Sequence, residues 1–336
     1  MSRKPPVLLV YAAALNRELV TAAHRDRLAG LCHVLDPEPV PGFDDPRAAP
    51  HLDSVEILLS GWGCPRLDAA TLDRMPKLRG AFHAAGTVKN HVTPACFERG
   101  VRVTSAAFAN GIPVAEFTVA AIVLANKKAF RASRRYRELK GFRLWSQEFP
   151  GIGNHDKVVG IVGASRIGRM VMERLRGFDL GLLVYDPWLD AGEARALGAE
   201  PCELDDLLRR SDVVSLHAPS VPATRHMIDR RRLGLLRDGA TFVNTARGAL
   251  VDHDALTEEL VSGRIDAVLD TTEPELLPED SPLYDLDNVF LTPHIAGSQG
   301  TETRRMLDLA LDEIERFVRG EPLQHEVRAE DWDRIA

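Results

Sequence analysis

The stretch Val158–Val171, VVGIVGASRIGRMV, decides how this chain is read. Val158, Val159, Ile161 and Val162 form the short β-branched run of a buried parallel strand. The run passes directly into a turn with Gly163, Ser165 and Gly168 at the three fingerprint positions of a dinucleotide-binding βαβ unit. Such a turn takes glycine first for the bend, second for close approach of backbone to a pyrophosphate, and third for packing of helix on strand. Serine at the second position is the departure. A helix over Met170–Leu180 and a strand over Leu182–Tyr185 complete the unit, and Asp186 stands 23 residues beyond Gly163, where an acid grips ribose hydroxyls. A carboxylate there repels a 2′-phosphate, so NAD is expected over NADP. Read singly, Asp186 is also a turn residue before Pro187, and the glycines fit an ordinary strand-to-helix loop.

The chain has 336 residues, 45% hydrophobic and 27% charged, enough for two globular cores. Its net charge of −7 gives no reason to expect nucleic acid as a partner. Lys127–Arg143 is locally basic and reads as a solvated or interface-lining helix face. Cys32, Cys64, Cys96 and Cys202 lack metal-ligand spacing, so no metal site is expected and reduced thiols in a cytoplasmic protein are. Arg3, Lys4 and the apolar run after them imitate a signal peptide, but a first strand, Val7–Tyr11, and a helix from about Asn16 explain them equally well. The longest apolar run elsewhere, Phe117–Ala125, is too short to span a bilayer.

Outward from the fingerprint, strand and helix signals alternate on both sides. Before it, strands are expected at Val7–Tyr11, Leu31–Leu35, Ile57–Ser60, Leu78–His83 and Val101–Ser105, with a loop over Asp36–Pro50 and glycine corners at Gly61–Gly63 and Ala84–Thr87. A long helix is expected from Pro113. After the fingerprint come helix Leu204–Arg210, strand Val213–His217, helix Leu233–Leu236, strand Thr241–Asn244, helix Asp254–Ser262, strands Ala267–Leu269 and Val289–Thr292, and a terminal helix Thr301–Gly320. Gly320–Ala336 reads as a short tail.

Three polar features fall at late strand ends, where such sheets bind ligands: Arg247 in NTARGALVD, the acids Asp270, Glu273 and Glu275 in LDTTEPE, and His294 in LTPHIAGS. Arginine can hold a carboxylate bidentately, histidine can exchange a proton near neutral pH, and a carboxylate beside it orients it. Together they suit interconversion of a hydroxy acid and a keto acid. Taken singly, each also reads as a surface ion pair or loop residue.

The ordered segments Val159–Arg169, Tyr185–Pro187, Ser215–Ile228, Phe242–Asp252, Leu269–Glu275 and Leu291–Ser298 resemble the D-isomer-specific 2-hydroxyacid dehydrogenases, the family of glyoxylate, hydroxypyruvate and phosphoglycerate reductases. Residues 85–116 resemble its first domain. The resemblance implies an α/β fold of two doubly wound parallel-sheet domains: a Rossmann NAD-binding domain, residues 113–301, inserted into a flavodoxin-like substrate-binding domain, residues 1–112 and 302–336. It implies Arg247 as the carboxylate clamp and His294 as the acid/base that protonates the carbonyl oxygen as hydride reaches the carbon. Glu275, five places after Asp270, would be the partner of His294. Gly163, Ser165, Arg166, Ile167, Gly168, Asp186, His217, Pro219, Thr224, Thr245 and Ala246 would line the cofactor, and Asp270 would hold its carboxamide. Backbone amides of Ala85, Gly86 and Thr87 would bind the substrate carboxylate. A homodimer that uses neither nucleic acid nor membrane is implied.

Asp270 is followed by Thr271–Thr272 where the family commonly has an apolar and an aromatic residue, and the segment from Arg247 to Asp270 is about one residue short, so Glu273 stands as the alternative partner of His294. Trp62 and His83 fit either the substrate pocket or the core. A non-catalytic NAD-binding regulator of corepressor type is the rival reading, and an amino-acid dehydrogenase the second. The short tail speaks against the longer, feedback-regulated phosphoglycerate dehydrogenases. Ser165 would either donate a hydrogen bond to the pyrophosphate or crowd it.

Overall fold

The computed structural model describes residues 3–12, 14 and 20–332 and divides into two compact units, Met1–Gly111 with Ser298–Ala336, and Ile112–Gly297. The division falls one residue before the expected boundary at 112 and four before that at 302. The helix expected from about Asn16 starts outside the described residues, which show a helix at Ala22–Leu31.

In the first unit, strands β1 (Pro6–Val10), β2 (His33–Val34), β3 (Ile57–Ser60), β4 (Gly80–His83) and β5 (Arg102–Ser105) run parallel in the order 2-1-3-4-5. This is the flavodoxin-like doubly wound order. Leu31 ends a helix instead of opening β2, so that strand is only two residues long. One face of the sheet packs Leu8, Val10, Leu58 and Val103 with Leu72 and Cys96. The other packs Val7, Leu9, Ile57 and Phe82 against Leu307, Leu311 and Ile314 of the terminal helix Thr303–Arg319. The tail contains a further strand, Glu326–Val327, antiparallel to β5. The buried Glu313 carboxylate accepts from the amides of Gln324 and His325 and fixes that strand's entry.

The second unit has seven parallel strands: β6 (Lys157–Val162), β7 (Leu180–Tyr185), β8 (Glu200–Pro201), β9 (Val213–Leu216), β10 (Thr241–Asn244), β11 (Asp266–Leu269) and β12 (Val289–Leu291). Their order, β8-β7-β6-β9-β10-β11-β12, is the Rossmann order with one strand added. Because every pair is parallel, all strands end on the same edge. Val159, Ile161, Val184 and Val243 face one core, and Val162, Val214, Phe242 and Leu269 the other.

Element ends differ from the sequence reading for local reasons. The first helix after the fingerprint spans Arg166–Leu175, not Met170–Leu180, because the Ser165 side chain caps it. A short helix at Arg230–Leu233 replaces the expected Leu233–Leu236, since Asp229 caps it by accepting from the Arg232 amide. The long helix starts at Ala107, where Ser105 Oγ accepts the amide at 3.0 Å, and carries Pro113 inside it. It ends at Asn126, and left-handed Lys128 precedes a separate helix, Ala129–Leu139. At 20 residues and mean hydropathy 1.7, Ala107–Asn126 is long and apolar enough to cross a membrane, which counting only Phe117–Ala125 concealed. Its Ala115, Ala121 and Ile122 are packed in the core of the second unit.

Half of the basic side chains in Lys127–Arg143 are paired with carboxylates. Lys128 and Arg131 reach Asp266, Arg134 reaches Asp287, and Arg135 reaches Glu138 and Glu148.

At the strand ends of the first unit, His83 and His91 are buried with ring centroids 4.2 Å apart, and Ser60 Oγ lies 3.0 Å from His83 Nδ1. His83 is thus a core residue, while Trp62 is partly exposed. Burial holds His83 well below the ordinary histidine range and His91 down to about 4. In the second unit buried His217 is lowered to about 3. These rings fold neutral, whereas the unfolded chain takes up protons near pH 6.5. Stability is therefore full above that pH and falls as pH drops toward 4, by about 3 kcal/mol for His91 alone. Thermal unfolding between pH 7.5 and 4.5 should show this loss, with a shallower fall in His91→Gln; equal slopes would clear the ring of responsibility.

Candidate active site

The fingerprint turn leaves β6 at Gly163, whose φ of +99° suits glycine. A Cβ there would stand 2.5 Å from the Ala218 amide, and one on Gly168 would stand 2.1 Å from the Gly163 carbonyl oxygen. Both glycines are therefore demanded by backbone packing. Ser165 takes ordinary extended backbone, and its Oγ accepts from the Gly168 amide at 3.4 Å as the helix N-cap. The amides of Arg166 and Ile167, at the first two positions of that helix, have no intrahelical acceptor and face the positive end of the helix dipole.

Asp186, just past β7, accepts from the Ala164 amide at 2.7 Å and from the Trp188 amide at 2.8 Å. It ties the fingerprint turn to the loop after β7. Donors at a helix N-terminus and an acid beside them suit the pyrophosphate and ribose of NAD. Around them, His217 Nε2 lies 2.9 Å from Ser215 Oγ, and Thr224 Oγ1 donates to the Pro219 carbonyl at 2.6 Å. Thr245 Oγ1 meets Thr118 Oγ1 at 2.8 Å, and the Ala246 amide donates to Asn244 Oδ1.

The polar residues of the late strands gather on the same edge. His294 Nδ1 lies 2.5 Å from Glu275 Oε1. A carboxylate can only accept, so Nδ1 carries the proton and Nε2 is left for chemistry. Glu273 instead pairs with Arg225 at 2.9 Å and His226 at 3.5 Å, and the Arg225 hydrogen bond holds its carboxyl below the usual range. His253 stands by this group, its ring nitrogens buried without a hydrogen-bond partner.

His294 occupies left-handed backbone, φ +54°, a conformation that needs external support in a non-glycine residue. Asp270 supplies it. Its buried carboxylate accepts from Thr292 Oγ1 at 2.6 Å and from the amides of Ile295 and Ala296 at 2.8 and 3.0 Å.

Arg247 follows β10 and donates to the Ala246 carbonyl. Burial lowers its proton affinity and the Glu275 charge partly restores it. Among the described residues no carboxylate reaches it at ion-pair distance. A Cβ on the next residue, Gly248, would stand 2.1 Å from the Thr272 carbonyl carbon, so the arginine loop and the acidic loop touch backbone to backbone.

In the first unit, Ala85, Gly86 and Thr87 form the loop after β4. The Gly86 carbonyl accepts from Ser105 Oγ, and Thr87 Oγ1 accepts from the Lys89 amide. All four cysteines are free, and burial raises each thiol, which leaves none as a nucleophile.

Residues 119–296, more than half of the chain, match the model of the NAD-binding domain of D-isomer specific 2-hydroxyacid dehydrogenases. The chain belongs to this family. It is 31% identical over 300 residues to the D-3-phosphoglycerate dehydrogenase of Methanocaldococcus jannaschii, covering 89% of this chain and 56% of that protein. It is 35% identical over 257 residues to the glyoxylate reductase of Korarchaeum cryptofilum, covering 76% and 77%. Among solved structures, a phosphoglycerate oxidoreductase from Rhizobium etli superposes with a TM-score of 0.79 at 26% identity, over 97% of this chain and 98% of that one. The chain spans about half the length of the phosphoglycerate dehydrogenases it matches.

Arg225, His226 and His253 escaped the sequence reading because nothing in their spacing tied them to Glu273. The Asp270 clamp escaped it because two of its three donors are backbone amides. As a cap, Ser165 should be replaceable at the cost of the cap alone: about 1 kcal/mol for Ser165→Ala and a few tenths for Ser165→Gly, read from urea midpoints. A pyrophosphate ligand would instead lose NADH affinity in both variants.

Proposed function

We propose that this chain is an NAD-dependent oxidoreductase that interconverts a D-2-hydroxy acid and a 2-keto acid. The observation that carries the reading is the His294–Glu275 pair, held on the same sheet edge as a half-buried arginine without a carboxylate partner among the described residues. Arg247 would clamp the substrate carboxylate, whose charge offsets the cost of burying the guanidinium. In the first unit, amides of Ala85, Gly86 and Thr87 are proposed separately as donors to a carboxylate.

His294 Nε2 would protonate the carbonyl oxygen in reduction and accept the hydroxyl proton in oxidation. Glu275, at Nδ1, fixes the tautomer and supports the imidazolium. The nicotinamide, when bound, supplies or takes up the hydride at the substrate carbon. Gly163, Ser165, Arg166, Ile167 and Gly168 would hold the pyrophosphate through their backbone, with the Ser165 side chain kept as the helix cap, Asp186 would hold the ribose, and His217, Pro219, Thr224, Thr245, Ala246 and Asp270 the rest of the cofactor. Asp270 has lone pairs beyond its three donors, so clamping the His294 loop leaves it able to accept from the carboxamide.

In this reading the first unit binds substrate, and the protein works as a cytoplasmic homodimer. The names of the relatives point to glyoxylate and 3-phosphoglycerate as the acids to try, and the family resemblance adds hydroxypyruvate. NADH oxidation with glyoxylate or hydroxypyruvate should fall by about 10²- to 10⁴-fold in His294→Ala, and NADPH should serve poorly. Equal rates for the two proteins would sink the assignment.

A further inference from the structure

The two residues after Asp270 are both threonine, and the structure gives them opposite circumstances. Thr271 is buried with a hydroxyl that has no hydrogen-bond partner. Thr272, 6% exposed, directs its Oγ1 to the carbonyl of Pro274 at 2.8 Å and to that of Glu275 at 3.1 Å. A hydroxyl has one hydrogen, so the two carbonyls share it. The side chain thereby closes the loop on itself across the segment that carries Glu275.

We propose that Thr272 is the positioning residue that aims Glu275 at His294. The Glu275 side chain is 58% exposed and meets His294 at its tip. A glutamate so placed gives up rotamer freedom when held in one geometry, so its backbone has to be placed well in advance. Thr272 does this from a fixed base, because its own backbone lies against Gly248, where even a Cβ would not fit. The next residue, Glu273, is tied to Arg225 and His226. Glu275 thus follows two fastened residues, and of the two fastenings only the Thr272 hydroxyl reaches the Glu275 backbone itself. The inference rests on the reading of His294 and Glu275 as an acid–base pair.

Thr272→Val removes the hydroxyl and keeps the shape, and Thr272→Ser keeps the hydroxyl. Thr271→Val deletes an unpartnered hydroxyl next door and serves as the control. Two readouts are taken on the whole chain: turnover of glyoxylate with NADH, and the downfield NMR resonance of the His294 Nδ1 proton. The resonance is assigned by its absence in Glu275→Gln. Thr272→Val should lower kcat about ten- to a hundredfold with NADH affinity unchanged, and should weaken or erase the resonance. Thr272→Ser should restore both, and Thr271→Val should leave both intact. Wild-type kcat and an intact resonance in Thr272→Val would overturn the proposal, as would an equal loss in Thr271→Val. Should Glu275→Gln turn over at the wild-type rate, the acid–base reading fails on its own, and the resonance still decides whether Thr272 sets the pair.

Discussion

The Asp270 carboxylate, buried at the end of β11 and bonded to three donors of the segment after β12, is the interaction on which the site depends. β11 and β12 pair in parallel, with Leu269 opposite Leu291, so Asp270 and Thr292 leave the sheet side by side. A buried carboxylate is costly unless its acceptor capacity is used, and the nearest donors available are the hydroxyl and amides of the next loop. Using them bends that loop through the left-handed conformation of His294. The strain at His294 and the burial of Asp270 are therefore two sides of one arrangement. Together they accompany the meeting of the imidazole with Glu275.

Close backbone contacts supply the rest of the frame. Gly163 sits on the loop after β9, Gly168 sits on Gly163, and Gly248 sits on Thr272. Each removes a side chain to let two loops meet, and each meeting is at the carboxyl edge of the sheet. Within this edge the loops leave no room for a side chain at these contacts. A displacement of the acidic loop is transmitted to the arginine loop by contact, which makes the placing of Arg247 and Glu275 a single problem rather than two.

The parts of this frame legible in sequence are those enforced over a few residues. Gly163, Gly168 and Asp186 declare a dinucleotide turn because bend, packing and ribose acid come at fixed spacing. The alternation of β-branched runs with helical stretches gave both sheets, although strand order came only through the family's resemblance. Ends of elements were less legible, since they depend on single hydrogen bonds. Ser105 starts a helix that Pro113 was expected to start, and Ser165 starts one four residues before Met170. The antiparallel strand Glu326–Val327 was invisible, because a two-residue strand has no period, and its anchor, Glu313, lies on a helix.

Glu273 and Glu275 show why spacing alone left a choice that geometry narrows. They are two residues apart, carry the same group and flank the same proline, so no local property of the chain ranks one above the other as the partner of His294. What separates them lies far off in sequence. Arg225 and His226 claim Glu273 from the loop after β9, and a carboxylate already paired with a guanidinium has less to gain from an imidazole. Glu275, left without those partners, meets the histidine of the loop that Asp270 holds. An arginine outside the proposed chemistry thus separates two acids that the sequence leaves equivalent.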